Sequence, residues 1–207
     1  MQIRKANVLE VRVLSDIMKR SLGAKTLLFP TPVMVVGTFD MDGKPNVMTA
    51  AWGGICCSDP PSLAVSIRRS RLTYQNLVAK GDFTVSIPSE RYVAEVDYFG
   101  IAGGRNEDKF HGSGLTAAKA EHVDAPFVKE FPMHLECRVR HMLDLGQHTQ
   151  FIGEIMDVKV DSDLVDDGII DVARLQPFWY APGTSEYFGT GENLGRGFTI
   201  GKKLSKK

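Results

Sequence analysis

The sequence predicts a mostly β fold, a closed antiparallel β-barrel with flanking helices at its ends. From Met133 the chain alternates, with Met133, Leu135, Cys137 and Val139 apolar against His134, Glu136, Arg138 and Arg140; period two marks a strand with one buried face. About six strand-like runs follow one another through tight turns, and only two segments repeat clearly at helical spacing. Strands do not alternate regularly with helices, which argues against a doubly wound nucleotide fold.

In chain order, residues 1–19 carry Val8, Val11, Leu14 and Met18 at loosely helical spacing and are expected to be a peripheral extension to a domain spanning 20–207. Val33–Phe39 is a β-branched run, and Asp40-Met41-Asp42-Gly43 turns it into a second strand near Pro45, so the pair reads as a hairpin. Gly53-Gly54 and Asp59-Pro60-Pro61 are expected to break the chain before the strand Ser62–Ile67. A helix should then start at Ser70, whose side chain can cap it, and stop at Gly81, which suits the left-handed position. Phe83–Ile87 is a short strand stopped by Pro88. Ser89 opens a second helix with Tyr92, Val93, Val96 and Phe99 on one face. Gly100 to about Pro132 reads as irregular chain holding one short helix, and such long loops tend to be functional. Beyond the alternating strand, Gly146-Gln147-His148 is the turn, and the return strand sets Met156, Val158 and Val160 against Asp157 and Lys159. Gly189-Thr190-Gly191 with Gly195 looks superficially like a dinucleotide loop, but it follows no strand and opens no convincing helix.

Composition narrows the function. A chain of 207 residues can bury a sizeable core, and its 43% hydrophobic and 24% charged shares are those of an ordinary globular domain. The 25 basic and 25 acidic residues cancel, so no bulk field draws nucleic acid or an anionic membrane. No apolar run approaches the ~20 residues that cross a bilayer, and no cleavable signal opens the chain. Three cysteines, with Cys56 and Cys57 adjacent, make no disulfide framework and point to a reducing cytoplasm. No CxxC pair suggests a metal site. Cys56 and Cys57 are read as small buried hydrophobes rather than redox centres, and Cys137 as core.

The stretch from Asn46 to Asn76 carries the candidate chemistry. Asn46, Val47, Met48, Thr49, Ala50, Ala51 and Trp52 form an extended segment whose side chains shrink to alanine, where a flat ring could lie against main-chain N–H groups. Ser66, Ile67 and Arg68 end the next strand, and Arg68, Ser70 and Thr73 surround a helix start whose dipole and hydroxyls suit a phosphate. Arg69 and Arg71 are read as surface residues. Ring ledge plus phosphate turn suggests flavin mononucleotide, FMN. An ordinary barrel strand and a solvated cationic turn capped by Ser70 would leave the same pattern.

At this point the chain resembles the flavin reductase-like, FMN-binding split-barrel family, and within it the flavoredoxin branch. The resemblance rests on Pro30-Thr31-Pro32-Val33, on Asp42 through Trp52, on Asp59-Pro60-Pro61, and on Asp108-Lys109-Phe110. It continues through Leu135-Glu136-Cys137, Leu145 through Thr149, Gly153-Glu154 and Phe198 through Lys202, so it covers nearly everything after Lys19. It implies an antiparallel split barrel, and a homodimer that holds FMN noncovalently near the subunit interface. It implies flavin contacts from Asn46, Trp52, Thr73, Asn76, Lys109 and His148, along Met48 to Ala51, and from Ser66 to Ser70, with an aromatic at Phe178 or Tyr180 near the ring. The implied activity is that of an oxidoreductase moving electrons from NAD(P)H or another donor through FMN to an acceptor. A non-enzymatic electron carrier between protein partners is the alternative. No general acid or base can be named.

Overall fold

In the computed structural model, which describes residues 18–204, the chain is built mainly from antiparallel strands. Val8, Val11 and Leu14 of the expected extension, and Lys206 and Lys207 at the other end, lie outside the described residues. The elements run β1 (Thr31–Pro32), β2 (Met34–Phe39), β3 (Pro45–Ala50), β4 (Gly53–Ser58), β5 (Pro61–Arg68), α1 (Leu72–Lys80) and β6 (Asp82–Ile87). There follow α2 (Val93–Ile101), α3 (Lys109–Ser113), β7 (Ala117–Lys119), β8 (Pro126–Val128), β9 (Met133–Asp144) and β10 (His148–Val160). The chain closes with β11 (Val165–Asp166), β12 (Ile169–Ile170), α4 (Val172–Leu175), β13 (Phe178–Ala181) and β14 (Glu186–Gly189). No helix is long and apolar enough to cross a membrane.

Seven strands share one sheet in the order β3-β2-β6-β9-β10-β5-β4. The ladder is open, with β3 and β4 at its ends, so the barrel is split, as the family resemblance implies, and not closed as the strand pattern alone suggests. The sheet still wraps one interior, in which Val36, Met48, Ile67, Phe83, Leu135 and Phe151 from six strands pack with Leu77 of α1. A second core lies behind β2 and β3, where Val35 and Val47 meet Val96 and Phe99 of α2 and Phe110 of α3. This double cover explains why β2 is a continuous apolar run and not an alternating one: both of its faces are buried.

Several local expectations shift. Gly53-Gly54 does not break the chain but starts β4, an edge strand paired only with β5. Cys56 and Cys57 sit on that edge and are exposed, because nothing among the described residues covers it, whereas Cys137 is buried as expected. The first helix starts one turn position later, with Arg71 at the N-cap and no side-chain cap from Ser70; Gly81 ends it in the left-handed conformation at φ 76°. Ser89 opens a 3₁₀ turn and not α2 directly, and Val93 is left 37% exposed while Val96 and Phe99 are buried. The stretch from Gly100 holds α3 as expected, and also the β7–β8 hairpin.

The β9–β10 hairpin shows how one residue resets a pattern. Phe151 and Gly153 face the interior at odd positions, yet Val158 and Val160 pair with the inward Leu135 and Met133 at even ones. A bulge between Ile155 and Asp157 makes the change, with Met156 as the extra, unpaired residue; this end of the strand is open, Met156 being 38% and the paired Val158 42% exposed. His148 begins β10 and does not belong to the turn.

Gly153 is a glycine for steric reasons: a Cβ there would lie 2.5 Å from the Phe83 ring and 3.2 Å from Cys137 Cβ. Gly153→Ala therefore overpacks the interior, and the urea midpoint should fall by the equivalent of about 1–3 kcal/mol. An unchanged midpoint would show that Phe83 relaxes freely.

Candidate functional site

Two cavities meet where β3, β5, the start of α1 and the loop after α2 converge. The smaller, about 130 Å³, has Asn46 and Met48 of β3 on one side and Ser70, Arg71, Leu72 and Thr73 on another. Its remaining wall is Ala102 through Asn106 together with Lys109. The larger, about 280 Å³, is walled by Met48 through Trp52, by Ser66, Ile67 and Arg68, and by Arg71, His148 and Tyr180. Met48 and Arg71 line both. Together they reach the volume range of ordinary cofactor clefts, ~300–1,000 Å³.

The geometry follows from the fold. β3 is a sheet edge, so beyond its ladder with β2 its outer main chain is free to face a ligand. Beside it, β5 and β10 pair antiparallel so that Arg68 stands opposite His148 and Ile67 opposite Thr149. The chain then turns through Arg69 and Ser70, where Arg71 N–H donates to Arg68 O at 3.0 Å. Arg69 pairs with Asp144 across the β9–β10 hairpin, and Arg105 Nη1 donates to Ser70 O at 2.8 Å, so both ends of the turn are anchored. With no side-chain cap at Arg71 and no acid in the first turn of α1, that helix offers free N–H groups to the smaller cavity.

Lys109 is the buried charge of the site. It is 5% exposed, and Nζ donates to Val47 O on β3 and Phe99 O near the end of α2, each at 2.8 Å. An ammonium has three donors, so one remains beyond these two carbonyls. Burial, then the neighbouring Arg71, push its pKa down to about 8. The His148 imidazole is also held below its usual range, by partial burial and then by Arg68. Neither cavity has an aspartate or glutamate in its wall, although the whole chain carries as many acids as bases.

The expected residues are brought together, but with different parts. Asn46, Met48, Ser70, Thr73 and Lys109 line the smaller cavity; Thr49, Ala50, Ala51, Trp52, Ser66, Ile67, Arg68 and His148 line the larger. Lys109 and His148 thus serve separate lobes. Asn76 lines neither: its Nδ2 donates to Thr38 Oγ1 at 3.0 Å inside the protein, because α1 turns that position toward β2. Thr73 is 1% exposed, and its Oγ1 accepts from Asn46 Nδ2 at 3.0 Å. Thr49 donates its hydroxyl to Val96 O, so only its remaining atoms face the cavity. Arg71, expected at the surface, is half-buried and lines both lobes. Of the two aromatics, Tyr180 lines the larger cavity, while Phe178 is buried in the second core. Gly103, Gly104 and Arg105 escaped sequence reasoning, although the length of their loop had marked it as functional. Gly104 has a specific reason, since a Cβ there would lie 2.2 Å from Asn46 Oδ1.

Comparison with known proteins gives the same direction. Residues 26–184 match the family model described as flavin reductase like domain. The solved structure of flavoredoxin from Desulfovibrio vulgaris (Miyazaki F) is 53% identical, with a TM-score of 0.85 over 89% of this chain and 100% of that one. Flavoredoxin from Methanosarcina acetivorans is 28% identical, with a TM-score of 0.84 over 90% and 99% of the two chains. An uncharacterized protein of Archaeoglobus fulgidus is 36% identical over 129 residues, 62% of this chain and 72% of that protein.

Because the folded pKa of Lys109 lies below the ordinary 10.5, the unfolded chain holds this proton more tightly. Below pH 8 the full burial cost opposes folding; between pH 8 and 10.5 it is relieved as the folded state releases the proton first. The stability of the ligand-free wild type relative to Lys109→Met should therefore rise across that window, by on the order of 3 kcal/mol at most. Denaturant titrations at intervals from pH 7 to 10.5 check it; a flat difference would mean that Lys109 titrates normally.

Proposed function

This chain belongs to the flavin reductase like family, on its flavoredoxin branch, and from that membership we propose that its two cavities together hold one FMN for oxidoreductase chemistry. One observation carries the reading: four permanent or near-permanent cations, Arg68, Arg71, Arg105 and Lys109, line two adjoining cavities whose walls hold no acid, in a chain of zero formal net charge. Apart from Glu107, whose charge partly offsets that of Lys109, these cations face no carboxylate in the cavity walls, and a phosphate would relieve their mutual repulsion. The smaller lobe takes that phosphate, through Ser70, Arg71, Thr73, Arg105, Lys109 and the N–H groups that open α1. The larger lobe takes the ring, with Ala50 and Ala51 letting it approach the β3 main chain and Trp52, Ile67 and Tyr180 covering its faces.

When bound, FMN supplies reversible electron transfer. The chain's own part is to hold and tune it. Arg68 beside the ring lobe stabilises added negative charge there and so favours reduction, while His148, neutral at pH 7, offers one hydrogen-bond donor and one acceptor. NAD(P)H is the proposed transient donor. We place the flavin domain at 20–207 with 1–19 as an extension, in a cytoplasmic homodimer whose interface lies near the flavin; the exposed edge β4 is the surface that fits such a partner.

The purified protein should be yellow, and it should bind FMN at least about tenfold more tightly than riboflavin, since charge-assisted bonds to the phosphate each contribute about 1.5–3 kcal/mol. Thr73→Ala with Lys109→Ala should weaken FMN by roughly ten- to a hundredfold. Equal affinity for riboflavin and FMN, or wild-type affinity in the double variant, would place the phosphate elsewhere. FMN affinity should hold steady up to pH 8 and decline above it as Lys109 loses its proton, and Lys109→Met should abolish that decline. Anaerobic mixing with NADH and NADPH tests the donor: rapid loss of the flavin's visible absorbance is expected of an oxidoreductase, and none of an electron carrier.

A further inference from the structure

A third cavity adjoins the larger lobe and is its electrostatic opposite. It measures about 260 Å³ and shares Thr49, Ala51 and Tyr180 with that lobe. Where the ring lobe has cations and no acid, this recess has Asp97 and no lysine, arginine or histidine. The β13–β14 hairpin builds its far wall: Tyr180 pairs with Tyr187 in register, and their rings lie 5.5 Å apart. Gly100 of α2 adds no side chain, and Ile101 at the rim is 74% exposed, so the recess is open and partly apolar.

Asp97 is held for use in this recess. The Tyr187 hydroxyl donates to its Oδ1 at 2.9 Å. Burial, and then that bond to Asp97, raise the Tyr187 pKa, so the phenol stays protonated and the bond persists. Among the described residues nothing donates to Asp97 Oδ2. One carboxylate oxygen is therefore fixed, and the other is open to a ligand's N–H or O–H.

We infer that this recess docks a second small molecule beside the ring lobe, and that the Asp97 carboxylate selects a cationic compound bearing a hydrogen-bond donor over an anionic one. Two neighbouring cavities of opposite charge suit two different ligands, and the shared residues Thr49, Ala51 and Tyr180 bring those ligands side by side. The inference rests on the flavin reading only for the identity of the neighbour; the charge selection belongs to the recess itself.

The test uses three isosteric probes that differ in charge: benzamidine, benzamide and benzoate. Saturation-transfer NMR on the protein loaded with FMN, which occupies the cationic lobes, should rank them in that order, with benzoate at least about fivefold weaker than benzamidine, since a like charge beside an exposed carboxylate is only partly screened. Asp97→Asn keeps an acceptor for Tyr187 and should collapse the ranking to within about twofold while FMN affinity is unchanged. Tyr187→Phe keeps the carboxylate and should keep the ranking. With FMN added, benzamidine should perturb the flavin's visible spectrum. Equal binding of benzoate and benzamidine to the wild type, or a ranking that survives Asp97→Asn, would overturn the proposal. A protein that takes no FMN but prefers benzamidine to benzamide only while Asp97 is present would leave the recess standing and remove the flavin reading.

Discussion

A buried ammonium joins the parts of this protein that matter. Lys109 reaches from α3 to a carbonyl on the outer edge of β3 and to one in the last turn of α2. Each acceptor would otherwise lack a partner: the first because β3 ends its sheet, the second because a helix leaves its final carbonyls unpaired. A cation at a helix C-terminus is also favoured by the dipole. The cost is a charge taken out of water beside Arg71, and it shows in the depressed pKa. One side chain thereby fixes the position of the edge strand relative to the helices behind it and lends its charge to the smaller cavity.

The fold distributes charge in a way that the composition conceals. Acids and bases are equal in number, and many pair at the surface, as Arg138 does with Asp82, Arg140 with Glu154 and Lys159 with Asp157. Such exposed pairs contribute little to stability. Arg68, Arg71, Arg105 and Lys109 stand as a cationic group around a concave surface, with the recess of Asp97 set beside it. An overall charge of zero is thus the sum of strongly local fields, and these fields bear on recognition.

Where sequence reasoning missed, the cause was a neighbour that the sequence could not display. Met156 reads as part of an apolar face, and the bulge that expels it depends on its pairing with β9. Cys56 and Cys57 read as core because free cysteines usually are, yet they fall on a strand with one neighbour only. Asn76 lies three residues beyond Thr73 and shares its residue chemistry, but the turn of α1 carries it to Thr38 and away from the cavity. Arg71 looks like one more basic residue in a cationic turn until the loop after α2 is seen to line the same cavity.

The sequence alone determined the class of the fold, most of its strands, the end of α1 at Gly81 and the segment on which the site is built. These are properties of short stretches, set by period, by glycine's access to positive φ and by side-chain size. Tertiary structure alone decided that Lys109 and His148 line separate lobes, that Tyr180 and not Phe178 joins the wall, that Arg71 lines both cavities, and that Asp97 meets Tyr187 ninety positions away. Those outcomes depend on which strand ends the sheet and which loop crosses it, and contacts between distant segments leave no periodic trace in either partner.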